Sequence, residues 1–261
     1  MNDTPQQRKW IARTRLAATN AMLAIMLLLS VVTTKSAQAQ TFTTLHSFDG
    51  TEGSFPLAGL IQGTDGNFYG TAGFGGANGG YGTVFKVTPA GTLTDLYNFC
   101  SQSDCTDGDS PTGGIIQGTN GMFYGITNVG GTNGDGTLFK MTSSGKLTTL
   151  YNFCSKNGCT DGSRPFAGLI QATNGNLYGT TSLGGTNGNY GTVFKITPGG
   201  KLTTLYSFCA QSGCTDGANP EGKLVQSTDG NFYGTTFAGG ANGDYGTLFE
   251  MHTDWQADHS L

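Results

Sequence analysis

One stretch is written four times in this chain, and its period constrains the fold more than any single residue within it. The most complete copy runs Asp229-Gly230-Asn231-Phe232-Tyr233-Gly234-Thr235-Thr236. It continues through Gly239-Gly240 and Asn242-Gly243 to Tyr245-Gly246-Thr247-Leu248-Phe249. Earlier copies centre on Tyr69, Tyr124 and Tyr178, so successive spacings are 55, 54 and 55 residues. A fixed period of that length marks an array of structural repeats, in which a conspicuous residue is first a property of the repeat and only then a candidate site.

The second copy shows what one repeat contains. Thr112 to Thr119 reads as a short apolar strand, and Asn120-Gly121 is a hairpin turn signal. Met122 to Thr127 forms the next strand. Gly130-Gly131 and Asn133-Gly134 make a second turn region before Gly136 to Thr142, and Ser144-Gly145 a third before Lys146 to Phe153. Asn-Gly and Asp-Gly suit tight hairpins because both central residues need positive φ. Short strands at even spacing, with no helical period, predict an all-β fold. Four strands in each ~54-residue unit is the arithmetic of a propeller blade. The faces agree: in Thr83-Val84-Phe85-Lys86-Val87 and Leu202-Thr203-Thr204-Leu205-Tyr206-Ser207-Phe208 apolar side chains point both ways. A sheet packed between two neighbours needs that pattern, whereas a one-sided sheet alternates more cleanly.

The expected architecture is therefore a β-propeller of four four-stranded repeats, at about 56–99, 111–153, 165–208 and 220–251. The segment Thr41-Phe42-Thr43-Thr44-Leu45-His46-Ser47-Phe48 matches the fourth strand of a repeat with no first three strands before it. The last repeat has three strands, ending in Leu248-Phe249-Glu250-Met251, and no fourth. An N-terminal strand 41–48 that completes the last blade would close the ring and pair its exposed edges.

The ends of the chain read differently. Arg8, Lys9, Arg13 and Arg15 precede an apolar run from Ala21 to about Val32, and Ala37-Gln38-Ala39 fits signal peptidase, so residues 1–39 are expected to be a signal peptide. The alternative, an uncleaved anchor, is disfavoured because the run is well short of the ~20 residues that span a bilayer. The repeat domain is then 40–252, exported to the cell surface or medium, with periplasmic retention as an alternative. After Met251 the expected fourth strand is replaced by His252-Thr253-Asp254-Trp255-Gln256-Ala257-Asp258-His259-Ser260-Leu261. With suitable codons, the same bases read one position later encode Thr-Pro-Thr-Gly-Lys-Leu-Thr-Thr-Leu, which restores the missing strand. The tail 252–261 is thus expected to be a frameshift product of a parent with more repeats, and Trp255, His252 and His259 are not read as a site.

Charge and cysteine narrow the function classes. The net charge of −4 is spread out with no basic stripe, which argues against nucleic acid or anionic lipid as the main partner. The six cysteines form three C-x4-C pairs, Cys100/Cys105, Cys154/Cys159 and Cys209/Cys214, at one place in three successive repeats. Six cysteines allow fifteen pairings, and pairing within each loop is the simplest. The spacing and the lack of nearby histidine argue against a metal site. In the same loops Asp107, Asp161 and Asp216, with Glu52 in the shorter first loop, read as turn formers that cap backbone N–H groups. Calcium ligation is the sharper alternative, without EF-hand or nonapeptide spacing to support it.

On these residues a resemblance can be stated. The units from Pro56 to Phe99, Pro111 to Phe153 and Pro165 to Phe208, and the last partial unit, resemble GloVer-type tandem repeats through the string DGNFYGTT…GG…GTVFKITP. The resemblance covers nearly the whole exported chain. It implies a propeller-like array at the surface of a bacterial cell, often with a C-terminal sorting or anchoring signal, and it supplies no catalytic residues. Weaker likenesses are to kelch blades, in the Gly-Gly after a strand, and to the hairpins of sensor-type extracellular propellers.

No catalytic set emerges from the sequence. Outside the tail His46 is the only histidine, at the place of Tyr97, Tyr151 and Tyr206, where an outer-strand residue is expected. Cofactors are not called for: Gly73 to Gly82 has no helix after it to make a phosphate loop. Glycoside hydrolysis is the chemistry that still fits, since it needs two carboxylates alone. One active centre must break the repeat symmetry, and the residues that do so are Glu221, Lys223, Glu250, Asp95 and Arg164. Glu221 and Lys223 begin an inner strand and are the binding candidates. The expectation is an exported module that binds an extracellular ligand, a polysaccharide or a surface protein, or serves as surface structure. A carbohydrate-active hydrolase or lyase is the alternative. If the tail is a frameshift product, the coding DNA after codon 251, read in the shifted frame, continues into repeat sequence; an immediate stop in that frame overturns the idea.

Overall fold

The computed structural model describes residues 40–252. The signal-peptide and frameshift expectations, on residues 1–39 and beyond 252, lie outside the described residues. Residues 40–44 belong to a separate N-terminal unit and carry no strand; every strand lies in the unit from Leu45 onward.

Each repeat forms one antiparallel sheet, and the strands follow in chain order. The first sheet holds β1 (Ile61–Gln62), β2 (Phe68–Ala72), β3 (Thr83–Val87) and β4 (Leu93–Asn98). The second holds β5 (Ile115–Gln117), β6 (Phe123–Thr127), β7 (Thr137–Met141) and β8 (Leu147–Asn152). The third holds β9 (Ile170–Gln171), β10 (Leu177–Thr181), β11 (Thr192–Ile196) and β12 (Leu202–Ser207). The fourth has β13 (Val225–Gln226), β14 (Phe232–Thr235) and β15 (Leu248–Met251). The expected hairpin turns are present: Gly121 sits at φ +78°, and its N–H donates to the Gly118 carbonyl at 2.8 Å. Among the described residues, helical structure is confined to 3₁₀ turns at Ser103–Cys105, Asn157–Cys159 and Ser212–Cys214, inside the cysteine loops.

The sheets stack on one another in sequence order, and the core lies between them. The first hydrophobic cluster joins Val84 and Phe99 of the first repeat to Phe123 and Phe139 of the second. The next joins Tyr124 and Phe153 to Leu177 and Phe194, and the third joins Val193 and Phe208 to Leu224 and Phe232. One aromatic pair recurs at every interface: Phe99–Phe139, Phe153–Phe194 and Phe208–Phe249, with ring centroids 5.4, 5.2 and 5.2 Å apart. The expected two-sided apolar pattern is what makes this stacking possible. No blade buries its faces without its neighbours.

Two polar devices hold the register between sheets. The Gln117 carboxamide oxygen accepts the Thr64 N–H at 2.9 Å, Gln171 the Thr119 N–H at 2.9 Å, and Gln226 the Thr173 N–H at 3.1 Å. Each glutamine also donates to a carbonyl of its own hairpin turn, as Gln171 does to Gly175 at 3.0 Å. Second, β3–β4, β7–β8 and β11–β12 carry the same bulge, after Val84, Leu138 and Val193. The extra residue of β8, Leu150, brings its carbonyl against Gly200 of the next sheet, where a Cβ would lie 2.8 Å from the oxygen. A side chain there would push the two sheets apart.

The expected closure by the N-terminal strand is not realised. Residues 41–48 form no strand, and among the described residues β15 pairs with β14 alone. Phe48 nevertheless lies 5.2 Å from Phe85 in the geometry that Phe99, Phe153 and Phe208 adopt against the following sheet. The Leu45 carbonyl approaches Gly91 as that of Leu150 approaches Gly200. Residues 45–48 therefore stand in front of the first sheet, where a preceding blade's last strand would stand. Among the described residues four sheets are present, and the first and fourth are not joined by a shared strand.

Because central sheets are covered on both faces and the last on one, Phe194→Ala should cost about 3–5 kcal/mol in urea unfolding, and Phe249→Ala, at a half-buried site, less than half as much. Equal losses would contradict this account of the stacking.

Candidate functional site

The cysteine loops follow one plan. Cys100–Cys105, Cys154–Cys159 and Cys209–Cys214 are disulfides, as the repeat placement suggested. Beside each, a carboxylate gathers the loop. Asp161 Oδ2 accepts the Tyr151 hydroxyl at 2.6 Å and the Ser155 N–H at 2.9 Å, and Oδ1 accepts the Lys156 N–H at 3.2 Å. Asp107 does the same with Tyr97, Ser101 and Gln102, and Asp216 with Tyr206, Ala210 and Gln211. Burial pushes the Asp161 and Asp216 carboxyls up, but these hydrogen bonds outweigh it and hold both below the usual carboxylate range. Desolvation pushes the Tyr97 and Tyr151 hydroxyls up to about 12. Both oxygens of each aspartate are turned to N–H and O–H donors, which is the turn-former arrangement and not one aimed at calcium. Asp135 lies near the sulfurs of Cys154 and Cys159. Those sulfurs are joined to each other and offer no thiolate to a metal.

The first repeat makes the same anchor from different residues. His46 Nε2 lies 2.6 Å from Glu52 Oε1, in the place of the Tyr–Asp pair. The His46 ring meets Phe48 edge-on at 5.3 Å, as Tyr97 meets Phe99 at 5.2 Å. Nearby, Asp49 is held down at about 2, first by hydrogen bonding to Glu52 and then to Thr51. Asp95 stands opposite Phe85 in the β3–β4 register, where the other repeats place Thr149 and Thr204. Its carboxyl is pushed up by desolvation and by the charge of Glu52, and Oδ1 is buried without a hydrogen-bond partner among the described residues. His46, Asp49, Glu52 and Asp95 line one open cleft of about 490 Å³. Sequence reasoning singled out His46, Glu52 and Asp95 separately; their meeting could be found only by aligning Glu52 with the loop aspartates and His46 with the tyrosines as one exchanged pair.

A second arrangement lies at the end of the sheets where β2 gives way to β3 and its counterparts. The residue before each repeat's proline has positive φ: Phe55 at 53°, Ser110 at 56°, Arg164 at 52° and Asn219 at 54°. Such a conformation costs a non-glycine residue about 1–3 kcal/mol and persists only where its surroundings fix it. Here the fixing is mutual. Arg164 N–H donates to Asp135 O of the preceding repeat at 2.9 Å, and Arg164 O accepts the Ser182 N–H of its own repeat at 3.1 Å. Ser110 and Asn219 are held likewise between Tyr81 and Asn128 and between Tyr190 and Phe237. Along this linked edge stand exposed aromatic rings: Phe55, Phe74, Tyr81, Phe166, Tyr190, Phe237 and Tyr245. Phe55 and Phe74 meet edge-on at 5.8 Å. Sequence reasoning missed this face because the pre-proline residues differ in type and share only a backbone angle.

The sequence candidates Glu221 and Lys223 are both exposed, in the loop between Pro220 and β13. They take the places of Phe166 and Gly168, and the Lys223 stem reaches toward Gly168 of the neighbouring loop. Desolvation lowers the Lys223 pKa. Neither joins a carboxylate pair: among the described residues the one side-chain ion pair is His46–Glu52. Glu250 accepts hydrogen bonds from Asn231 and the Tyr233 hydroxyl, at 2.9 and 2.7 Å, within its own sheet. Arg164 contributes to the strained edge through its backbone. Glu221 and Lys223 thus share one loop, and the other symmetry-breaking residues fall at separate places.

Repeated antiparallel blades, loop staples and a rim of strained backbone define a propeller-like repeat protein. The profile of the Gloeobacter/Verrucomicrobia repeat matches residues 30–170 and 156–260, and the chain belongs to that family. No curated protein matches. Among solved structures, the chain is similar to the extracellular domain of a hybrid two-component system protein from Bacteroides thetaiotaomicron, with 16% identity and a TM-score of 0.47 over 77% of this chain and 22% of that one. An α-L-arabinofuranosidase from Clostridium thermocellum matches at 15% and 0.41, over 74% of this chain and 67% of the other. An endo-1,4-β-xylanase from Bacteroides thetaiotaomicron matches at 12% and 0.42, over 77% and 78%. The chain spans 61%, 22%, 21% and 61% of the first four structures matched, under two thirds in each case. At such TM-scores these likenesses carry no argument about activity.

Asp95 has a raised carboxyl pKa, so its ionised form is disfavoured in the folded state: the penalty is absent below the ordinary value of 3.8 and complete above the raised one. Replacing it by the threonine of the other repeats removes a buried unpaired oxygen. Asp95→Thr should raise Tm at neutral pH by about 2–4 °C, with the gain shrinking as pH falls toward 4 in a thermal-melt series. An equal gain at every pH would show that charge is not the cause.

Proposed function

We propose that this chain is an exported binding module whose contact surface is the aromatic edge carrying Phe55, Tyr81, Phe166, Tyr190 and Tyr245, and that its ligand is a neutral polysaccharide. Three disulfides support an oxidising compartment. The observation that carries the reading is the edge itself: ring faces open to solvent, set on backbone that costs free energy to hold and is braced from sheet to sheet. Strain of that kind collects at ligand sites, and exposed aromatic groups with flanking amides are surfaces made for contact. Charged residues are 11% of the chain, which favours an uncharged ligand over an ionic one.

A repeated edge suits a repeated ligand. The first, third and fourth sheets offer exposed rings, Ser110 and Asn219 add a hydroxyl and an amide at the pre-proline position, and every sheet offers backbone groups of the β2–β3 type loop. Weak contacts from successive sheets then combine through effective concentration. Alone, each would hold a sugar poorly.

One observation favours the hydrolase reading as a second possibility. Asp95, with its raised pKa, shares one cleft with Asp49, whose pKa is held down, the environment contrast that separates an acid from a base in glycoside hydrolysis. A single assay addresses both. The exported protein is applied to a neutral glycan array, and retained glycans are then followed for release of reducing ends. Retention without release is expected, with a tenfold or greater loss of affinity in Phe166→Ala/Tyr190→Ala at unchanged Tm. Undiminished binding by that variant rejects the aromatic edge, and release that Asp95→Asn abolishes establishes the hydrolase.

A further inference from the structure

The two ends of the array are complementary to each other, and the chain does not join them. At one end, among the described residues, the outer edge of β15 is unpaired and one face of the fourth sheet is uncovered. Leu248 is 78% exposed, while its counterparts Val84, Leu138 and Val193 are 0%, 0% and 1% exposed. Thr235 is exposed where Thr71, Ile126 and Thr180 are buried. Beside β15 runs a groove of about 460 Å³ lined by Tyr206, Gln211, Thr215 and residues 247–252. In the third repeat the equivalent place is filled by β12, whose Thr204 hydroxyl donates to Thr160 O. Thr215 stands in the fourth repeat where Thr160 stands in the third.

At the other end, residues 45–48 stand in front of the first sheet as the last strand of a blade that has no other strands here. Phe48 packs on Phe85 and the Leu45 carbonyl against Gly91, the two contacts that Phe153 and Leu150 make with the following sheet. The segment Phe42-Thr43-Thr44-Leu45-His46-Ser47-Phe48 also has the pattern of β12 and the residue after it, Leu202-Thr203-Thr204-Leu205-Tyr206-Ser207-Phe208. Phe42 is 94% and Leu45 50% exposed. One end is a blade of three strands, and the other is the missing fourth, already seated on the sheet that should follow it.

We propose that two copies of this chain join head to tail, each giving its segment 42–48 to the open edge of the other's β15. The fourth sheet of each copy then has four strands and stacks on the first sheet of its partner. Two copies give eight sheets, within the four to eight of propellers, and the head-to-tail contact closes on itself at two. Register follows from β11–β12, where Phe194 faces Thr204, Lys195 faces Thr203 and Ile196 faces Leu202. By that rule Phe249 faces Thr44, Glu250 faces Thr43 and Met251 faces Phe42 of the other copy. The glutamine ladder continues across the junction, from the Thr228 N–H of one copy to Gln62 of the other. A second copy is favoured over an unrelated partner because strand pattern, bulge, aromatic pair and ladder all match, and residues 45–48 already occupy the position required.

The test uses the exported full chain, whose six cysteines are all bridged, so that an added cysteine is the reactive one. Copies carrying Thr43→Cys under one tag and Glu250→Cys under another are co-expressed and run without reductant. The expected result is a linked band of twice the chain mass carrying both tags, and a two-copy mass by light scattering for the unmodified protein. Leu248→Glu, at an exposed site, should leave the Tm of the internal sheets unchanged and shift the mass to one copy. A Thr43→Cys/Glu250→Cys chain that links within itself as a monomer overturns the proposal in favour of own-chain closure. A monomer without linkage, or a concentration-dependent ladder of larger species, overturns it as well.

Discussion

Everything in this molecule depends on apolar sheet faces that cannot be buried within the blade that owns them. Val84, Leu138 and Val193 are buried completely because the next repeat lies over them; Leu248, in the same place, is bare. Aromatic pairs recur at each of these interfaces, and a large ring is worth several kcal/mol when covered. The fold is therefore a sum of interfaces more than a sum of blades, and its ends differ in kind from its middle.

Polar groups set how the interfaces meet. The glutamine ladder ties each inner hairpin to the next, and the bulged outer strand brings its leucine carbonyl onto a glycine of the following turn. The loop aspartates fix the path from one sheet to the next by accepting hydrogen bonds from two successive backbone N–H groups. His46–Glu52 shows what this anchor requires: an acceptor in the loop and a donor ring on the outer strand. The first repeat satisfies it without a disulfide, which makes the disulfides reinforcement of a geometry that hydrogen bonds already specify.

Most of the fold was legible from the repeat. Strand number, turn residues, two-sided faces and the pairing of Cys100, Cys154 and Cys209 with their neighbours all follow from period and local chemistry. Closure was not legible: pattern identifies 41–48 as a fourth strand, and Phe48 packs on Phe85 as such a strand would, but pattern does not show whether β15 comes alongside it, and among the described residues it does not. The candidate site was less legible. Glu221 and Lys223 break the repeat visibly and lie exposed in one loop without an ion pair among the described residues, while Asp95 gained its raised pKa from burial and from Glu52, neither of which a sequence displays. The pre-proline edge was hidden for the opposite reason, because a shared φ leaves no shared residue type.

That edge has a consequence for how such an array changes over time. Phe55, Ser110, Arg164 and Asn219 hold one backbone shape with four unrelated side chains, so the shape is enforced by the neighbouring loops and not by the residue itself. Asn219 adds a side-chain bond to the Ser182 carbonyl and Ser110 one to Asp109, but the other positions share neither, so the backbone shape does not require them. Substitution there alters what the rim presents while the backbone bonds that hold the scaffold remain, and duplication of a repeat adds one more such position. A lineage can rewrite its recognition surface one sheet at a time, with the cost of the strained backbone already met by the frame.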